Sequence, residues 1–197
     1  METISISDGT MAKFNIAQIN LCTEAEGPGR RLAIWFQGCD QNCPNCCNPL
    51  MRSITVANIM CLEELSNLIL YSKKKYDIEG VTYIGGEPTL QSALPLLTHN
   101  IKVMGLGIIA FTGHIYEDVK NVLRECDLVI DGPYLESQKS SSRRIIGSDN
   151  QRLLFITKRY LNFESWFYSN ITAGDINLTD SSMVYNGNYQ SELDVGQ

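Results

Sequence analysis

Three thiols spaced Cys39-x3-Cys43-x2-Cys46 fall inside an eight-residue stretch, and Cys47 stands directly behind the third. Thiolates this close together can hold a metal centre without help from distant segments. A structural zinc site needs four closed ligands, so a zinc reading must recruit Cys47 or one of the two histidines, His99 and His114. A four-iron cluster normally takes four cysteines, and three leave one iron with a position open to a small molecule. Adjacent residues such as Cys46 and Cys47 rarely face one ion, which casts Cys47 as a neighbour of the centre. Further along, Gly85-Gly86-Glu87-Pro88 joins two glycines, which let a ligand approach the backbone, to a carboxylate able to hold an ammonium group. The plain alternative for these four residues is a turn between a strand and a helix.

The elements that must position these residues follow from periodicity. Phe14 to Cys22 and Leu32 to Phe36 favour strands, with the turn-forming Glu26-Gly27-Pro28-Gly29 between them. Leu62, Leu65, Leu68 and Ile69 recur at helical spacing, and Lys73-Lys74-Lys75 suits a helix C-terminus. A strand Val81 to Ile84, a helix from Ser92 to about Leu97, a strand Gly107 to Phe111, a helix from Ile115 and a strand Asp127 to Asp131 follow, then Leu153 to Ile156. Short strands alternating with helices predict an α/β fold with parallel strands. In such folds ligands bind at the carboxyl ends of the strands. The loops at Gly38-Cys39, Gly85-Gly86-Glu87, Thr112-Gly113-His114 and Asp131-Gly132-Pro133 are therefore expected on one rim.

Composition limits the partners. A chain of 197 residues with net charge -6 offers no basic footprint for nucleic acid. No apolar run is long enough for a membrane span, and the first residues lack the pattern of a secretory leader, so a cytoplasmic protein is expected. Cys22, Cys61 and Cys126 are scattered, as buried small apolar residues would be in a reducing compartment.

The three cysteines followed by Gly-Gly-Glu-Pro resemble the radical S-adenosylmethionine enzymes. More narrowly, "EGPGRR", "TGHIYEDV" and "CDLVIDGPY…GSDNQRLL" resemble the activating proteins of anaerobic, class III ribonucleotide reductases, over residues 14 to 157. The resemblance implies a partial (βα) barrel in which Cys39, Cys43 and Cys46 hold a [4Fe-4S] cluster and S-adenosylmethionine chelates the remaining iron. It implies that Gly85, Gly86 and Glu87 border the methionine end, that Asn45, Cys46 and Cys47 lie near the adenosine, and that Thr112 and Gly147 to Arg152 line the rim. The last stretch reads equally well as a polar turn. The partners implied are a large glycyl radical enzyme subunit and a low-potential electron donor such as a flavodoxin.

The chain departs from the family in lacking an aromatic residue beside Cys46. A target other than the reductase, such as a peptide or a different protein, therefore stays open, as does a non-catalytic zinc-binding interaction domain. His114 reads as either a site or a structural residue, and Arg30-Arg31 as a contact to the partner or to a carboxylate, or as a solvated pair. Residues 1–160 are expected to form the core. Residues 161–197 are expected to form an extension with a hairpin turning at Asp180-Ser181-Ser182 and a further turn at "YNGNY".

Overall fold

Alternation along the central strands sorts their side chains onto two faces, each of which buries its own cluster. In the computed structural model, which describes residues 12–169 and the backbone of 174–178 and 183–187, Leu32, Ile34 and Phe36 of β2 (Arg31–Phe36) join one cluster. Val81 and Tyr83 of β4 (Gly80–Gly85) and Ile108 and Ala110 of β5 (Gly107–Phe111) share that face. Three helices cover it: α1 (Leu62–Tyr76), α2 (Leu94–Val103) and α3 (Tyr116–Leu123) contribute Leu65, Ile69, Leu94, Leu97, Ile101 and Leu123. On the opposite face Ile109 meets Leu128 and Ile130 of β6 (Leu128–Asp131), with Ile146, Tyr160 and Phe167 packed over them.

These strands belong to a seven-stranded sheet in the order β3-β1-β2-β4-β5-β6-β7, completed by β1 (Lys13–Thr23), β3 (Asn58–Cys61) and β7 (Arg152–Phe155). The pairs β2/β4, β4/β5 and β5/β6 are parallel. The outer pairs β1/β2, β1/β3 and β6/β7 are antiparallel. The expected α/β fold with a parallel centre is present, with antiparallel strands at both sides.

Several elements differ from the sequence expectation. β3 carries two exposed residues and no apolar alternation, and its ladder to β1 is what makes it a strand. α2 runs six residues past Leu97, carried by Ile101 packing into the core. Lys158–Tyr168 forms a 3-10 run where strand-like alternation suggested the start of a hairpin. Phe167 is buried there, and the Arg144 guanidinium lies 3.8 Å from the Trp166 ring centroid. The hairpin lies beyond, as β8 (Gly174–Leu178) paired antiparallel with β9 (Met183–Gly187). Tyr185 to Gly187, expected to open a turn, are paired strand. The expected turn Asp180-Ser181-Ser182 lies outside the described residues.

Arg30 and Arg31 part company. Arg30 makes a surface ion pair with Asp77 at 3.2 Å, whereas Arg31 is fully buried at the amino end of β2. Its Nε–H donates to Thr82 Oγ1 at 2.7 Å, one terminal nitrogen to Tyr160 and the Pro28 carbonyl, and the other to the Val81 and Gly107 carbonyls. All five N–H donors are therefore placed, which is what makes a buried guanidinium without a direct carboxylate tolerable. Burial pulls its pKa down, with Tyr160 opposing. Arg31→Ala should strand these acceptors and leave a void, lowering stability by about 3 kcal/mol in urea unfolding, with partial recovery in Arg31→Lys.

Candidate functional site

The parallel centre brings the carboxyl ends of β2, β4, β5 and β6 side by side, and the cysteine loop grows from the first of them. Its base is closed by backbone bonds: Gly38 N–H donates to Met51 O at 2.9 Å and Cys39 N–H to Arg52 O at 3.1 Å. The Gln37 side chain ties the returning strand of the loop through Ser53 O at 2.7 Å. Within the loop, Gln41 N–H points at Cys39 Sγ at 3.4 Å, and Asn45 turns the chain between Cys43 and Cys46 in the left-handed region, which asparagine tolerates. Cys39, Cys43 and Cys46 are half-buried and Cys47 is exposed. Desolvation raises the Cys39 thiol pKa, against the lowering effect of Gln41 N–H.

The next strand end is pressed directly against this loop. Gly86 N–H donates to Phe36 O and Glu87 N–H to Gly38 O, each at 2.8 Å. A Cβ on Gly86 would stand 2.1 Å from Gly38 O, and one on Gly85, whose φ is 104°, would stand 2.7 Å from Phe36 N. The two glycines are thus demanded by the backbone of β2 and of the loop that follows it, a reason the sequence alone did not reveal. Glu87, expected as a carboxylate that could hold an ammonium group, has both oxygens engaged within the protein. It is buried, Oε1 accepts from Thr89 N–H, Thr89 Oγ1 and Thr112 Oγ1, and Oε2 accepts from Gly113 N–H, at 2.7–3.0 Å. It is a brace between β4 and β5.

Thr112 is likewise turned inward, donating to Glu87 and accepting from His114 N–H at 3.1 Å. His114 reaches back to the cysteine loop, with Nε2 3.2 Å from Asp40 Oδ2 and its ring against the Gln41 amide. The stretch Gly147 to Arg152 laces onto the loop after β6. Ser148 Oγ accepts from Leu135 N–H, Asn150 donates to Pro133 O, and Gln151 donates to Gly132 O. These contacts set the stretch against the β6 loop at the carboxyl end of β6.

Two features escaped sequence reasoning. Asp131, fully buried at the end of β6, accepts two bonds from Arg152 across 21 positions and one from Tyr116 N–H at 2.7 Å. No spacing signal connects residues so far apart. Tyr134 and Glu136 lie near the cysteine loop: the tyrosine hydroxyl donates to Glu136 at 2.6 Å, and that bond, with a smaller contribution from Asn45, holds the Glu136 carboxyl below its usual pKa. That bond, with desolvation, pushes the Tyr134 pKa up to about 12. An aromatic ring lacking at positions 45 and 47 is thereby brought near Cys43 and Cys47 from the β6 loop.

Three soft thiols on one short loop, with a backbone N–H aimed at the first sulfur, suit an iron–sulfur cluster. Among the described residues no three Cys, His, Asp or Glu side chains converge on one point. Glu87→Gln would set an amide N–H against the Thr89, Thr112 or Gly113 donors. It should cost about 1–3 kcal/mol in urea unfolding, as expected for a broken buried network, whereas a free ligand-binding carboxylate would leave the unfolding midpoint unchanged.

The "4Fe-4S single cluster domain" family model matches residues 25–154. The anaerobic ribonucleoside-triphosphate reductase-activating protein of Enterobacteria phage T4 is 28% identical over 147 residues, 71% of this chain and 93% of the phage protein. The pyruvate formate-lyase-activating enzyme of Clostridium pasteurianum is 32% identical over 109 residues, 53% of this chain and 46% of that protein. The crystal structure of QueE from Escherichia coli overlaps 51% of this chain and 53% of its own, with TM-score 0.42 and 19% identity. No helix of the described residues is long and apolar enough to cross a membrane. With the cysteine loop seated against the glycine pair and this match spanning both, the chain belongs to the 4Fe-4S single cluster domain family of radical S-adenosylmethionine enzymes, whose cofactors are a [4Fe-4S] cluster and S-adenosylmethionine.

Proposed function

We propose that this protein generates a glycyl radical on a partner enzyme, with anaerobic ribonucleotide reductase as the partner. The observation that carries the reading is the three-cysteine loop closed at its base and packed on Gly85-Gly86. The 93% coverage of the phage activating protein supports the choice of partner. The match to a pyruvate formate-lyase-activating enzyme favours a second reading, in which the recipient is a different glycyl radical enzyme. Family membership favours iron over the zinc-binding alternative.

Cys39, Cys43 and Cys46 would hold the cluster, and Asn45 and Cys47 would stand beside the adenosine. When bound, the cluster supplies one electron to the sulfonium of S-adenosylmethionine, giving methionine and a carbon radical able to take hydrogen from a glycine. The chain's own part is orientation. Gly85 and Gly86 bring the backbone of the methionine border against the loop. Glu87 and Thr112 hold that border to β5 from behind. With its oxygens occupied by four donors, Glu87 would shape this border through its backbone and its tie to β5. A low-potential donor such as a flavodoxin would deliver the electron.

After anaerobic reconstitution the protein should carry about four irons per chain and, with reductant and S-adenosylmethionine, release 5'-deoxyadenosine. Absence of that product from a fully loaded protein overturns the enzymatic reading. Incubation with the reductase subunit should give a glycyl radical signal by electron paramagnetic resonance, and a signal on pyruvate formate-lyase alone would select the second reading. Cys46→Ala should lose most of the iron while Cys47→Ala retains it, and equal loss in both would make Cys47 a ligand.

A further inference from the structure

The segment that returns from the cysteine loop is unusually apolar for its exposure. Leu50 is 90% exposed, and Ile54 and Val56 are each 77% exposed. Their positions are set, not frayed. Residues 50–53 are bonded to Gln37, Gly38 and Cys39. The Asn15 side chain clamps the following stretch by donating to Thr55 O at 2.8 Å and accepting from Ala57 N–H at 2.9 Å. Asn15 N–H in turn donates to Gln91 Oε1 at 2.9 Å, which sets this segment beside exposed Leu90. The Pro88–Leu90 turn packs on α3, whose N-cap is exposed Ile115. One apolar arc therefore borders the site across the loops of β2, β4 and β5.

From this arc, and resting on the functional reading above, we infer that Leu50, Ile54 and Val56, continued by Leu90 and Ile115, form the docking surface for the radical-receiving protein. The partner engages it through an uncharged, apolar face. The arc's chemistry selects that partner. Residues 48–61 carry a single charged side chain, Arg52, whose Nη2 is held by Asn42 Oδ1 at 2.5 Å. A polyanion or an anionic bilayer requires a basic surface, and this one carries a single arginine over residues 48–61 and has Glu117 and Asp118 beside Ile115, on a chain of net charge -6. A small substrate would enter between the strand ends and would leave an apolar border outside them without use. A protein delivering a glycine to the rim must bury surface around it, and aliphatic side chains held on a fixed backbone can be buried with little loss of freedom. The arc thus joins the radical chemistry to recognition of its macromolecular substrate.

The test uses the full chain, anaerobically reconstituted, carrying Leu50→Ser, Ile54→Ser and Val56→Ser together. Val103→Ser is the control: it is equally apolar, 75% exposed, and placed at the end of α2 that leads into the amino end of β5. Iron content and S-adenosylmethionine cleavage without partner should stay within about twofold of the unsubstituted protein, as for surface changes. The Kd for whichever subunit the unsubstituted protein radicalises, anaerobic reductase or pyruvate formate-lyase, should rise about tenfold or more, with Val103→Ser unchanged. Unchanged affinity in the triple variant, or equal weakening in the control, overturns the docking surface. So does a triple variant that loses binding to phosphatidylcholine vesicles, or self-association in sedimentation, instead of affinity for the subunit. Failure of the functional reading looks different: the unsubstituted protein cleaves S-adenosylmethionine yet places a radical on neither subunit, and the docking surface then falls with it.

Discussion

The Glu87 carboxylate accepts four donors from Thr89, Thr112 and Gly113, in a place that water does not reach. A buried carboxylate is tolerable only when its oxygens are filled in this way, and the same demand makes it an effective brace. It joins the end of β4 to the end of β5. One residue earlier, Gly86 N–H reaches Phe36 O, and Glu87 N–H itself reaches Gly38 O, joining β4 to β2. The cysteine loop is therefore mounted on a rim whose strand ends are fastened to one another, and the rest of the site inherits its geometry from that fastening.

The opposite end of the sheet uses the converse arrangement. Arg31 places a cation among hydroxyls and carbonyls and spends all five donors on β2's neighbours, the Glu26–Gly29 turn region and Tyr160. A guanidinium suits this position because its planar fork reaches several acceptors at fixed angles, where an ammonium would reach fewer. A third polar lock, Asp131 with Arg152 and Tyr116 N–H, holds the antiparallel edge strand β7 and the start of α3 to the end of β6. The parallel centre thus rests on apolar packing between its faces, while polar groups fix where each strand ends.

This division of labour bears on the chemistry. A centre that takes a small sulfonium cofactor needs a rigid floor and an accessible front. The floor is the braced set of strand ends. The front is bordered by loops with exposed aliphatic side chains and by Tyr134 and Glu136, which come near the cysteine loop from β6. His114 and Gln41 add a further tie between β5 and the loop, beside its first cysteine.

The linear order of residues was sufficient for the alternation of short strands and helices, and so for the parallel centre and the gathering of loops at its carboxyl end. The reason is that period and turn chemistry are local properties. The trio of cysteines stands out in the sequence for the same reason, since thiols within one eight-residue stretch are recognised as a candidate ligand set from spacing alone. What each polar side chain does was decided by folding. Glu87 reads as a free carboxylate until β5 arrives beside it, and Arg31 reads as surface charge until Thr82 and Tyr160 surround it. The pairing of Asp131 with Arg152 and the edge strand Asn58–Cys61 likewise exist only through neighbours distant in the chain. Burial and hydrogen-bond completion are properties of the assembled neighbourhood, and no spacing along the chain encodes them.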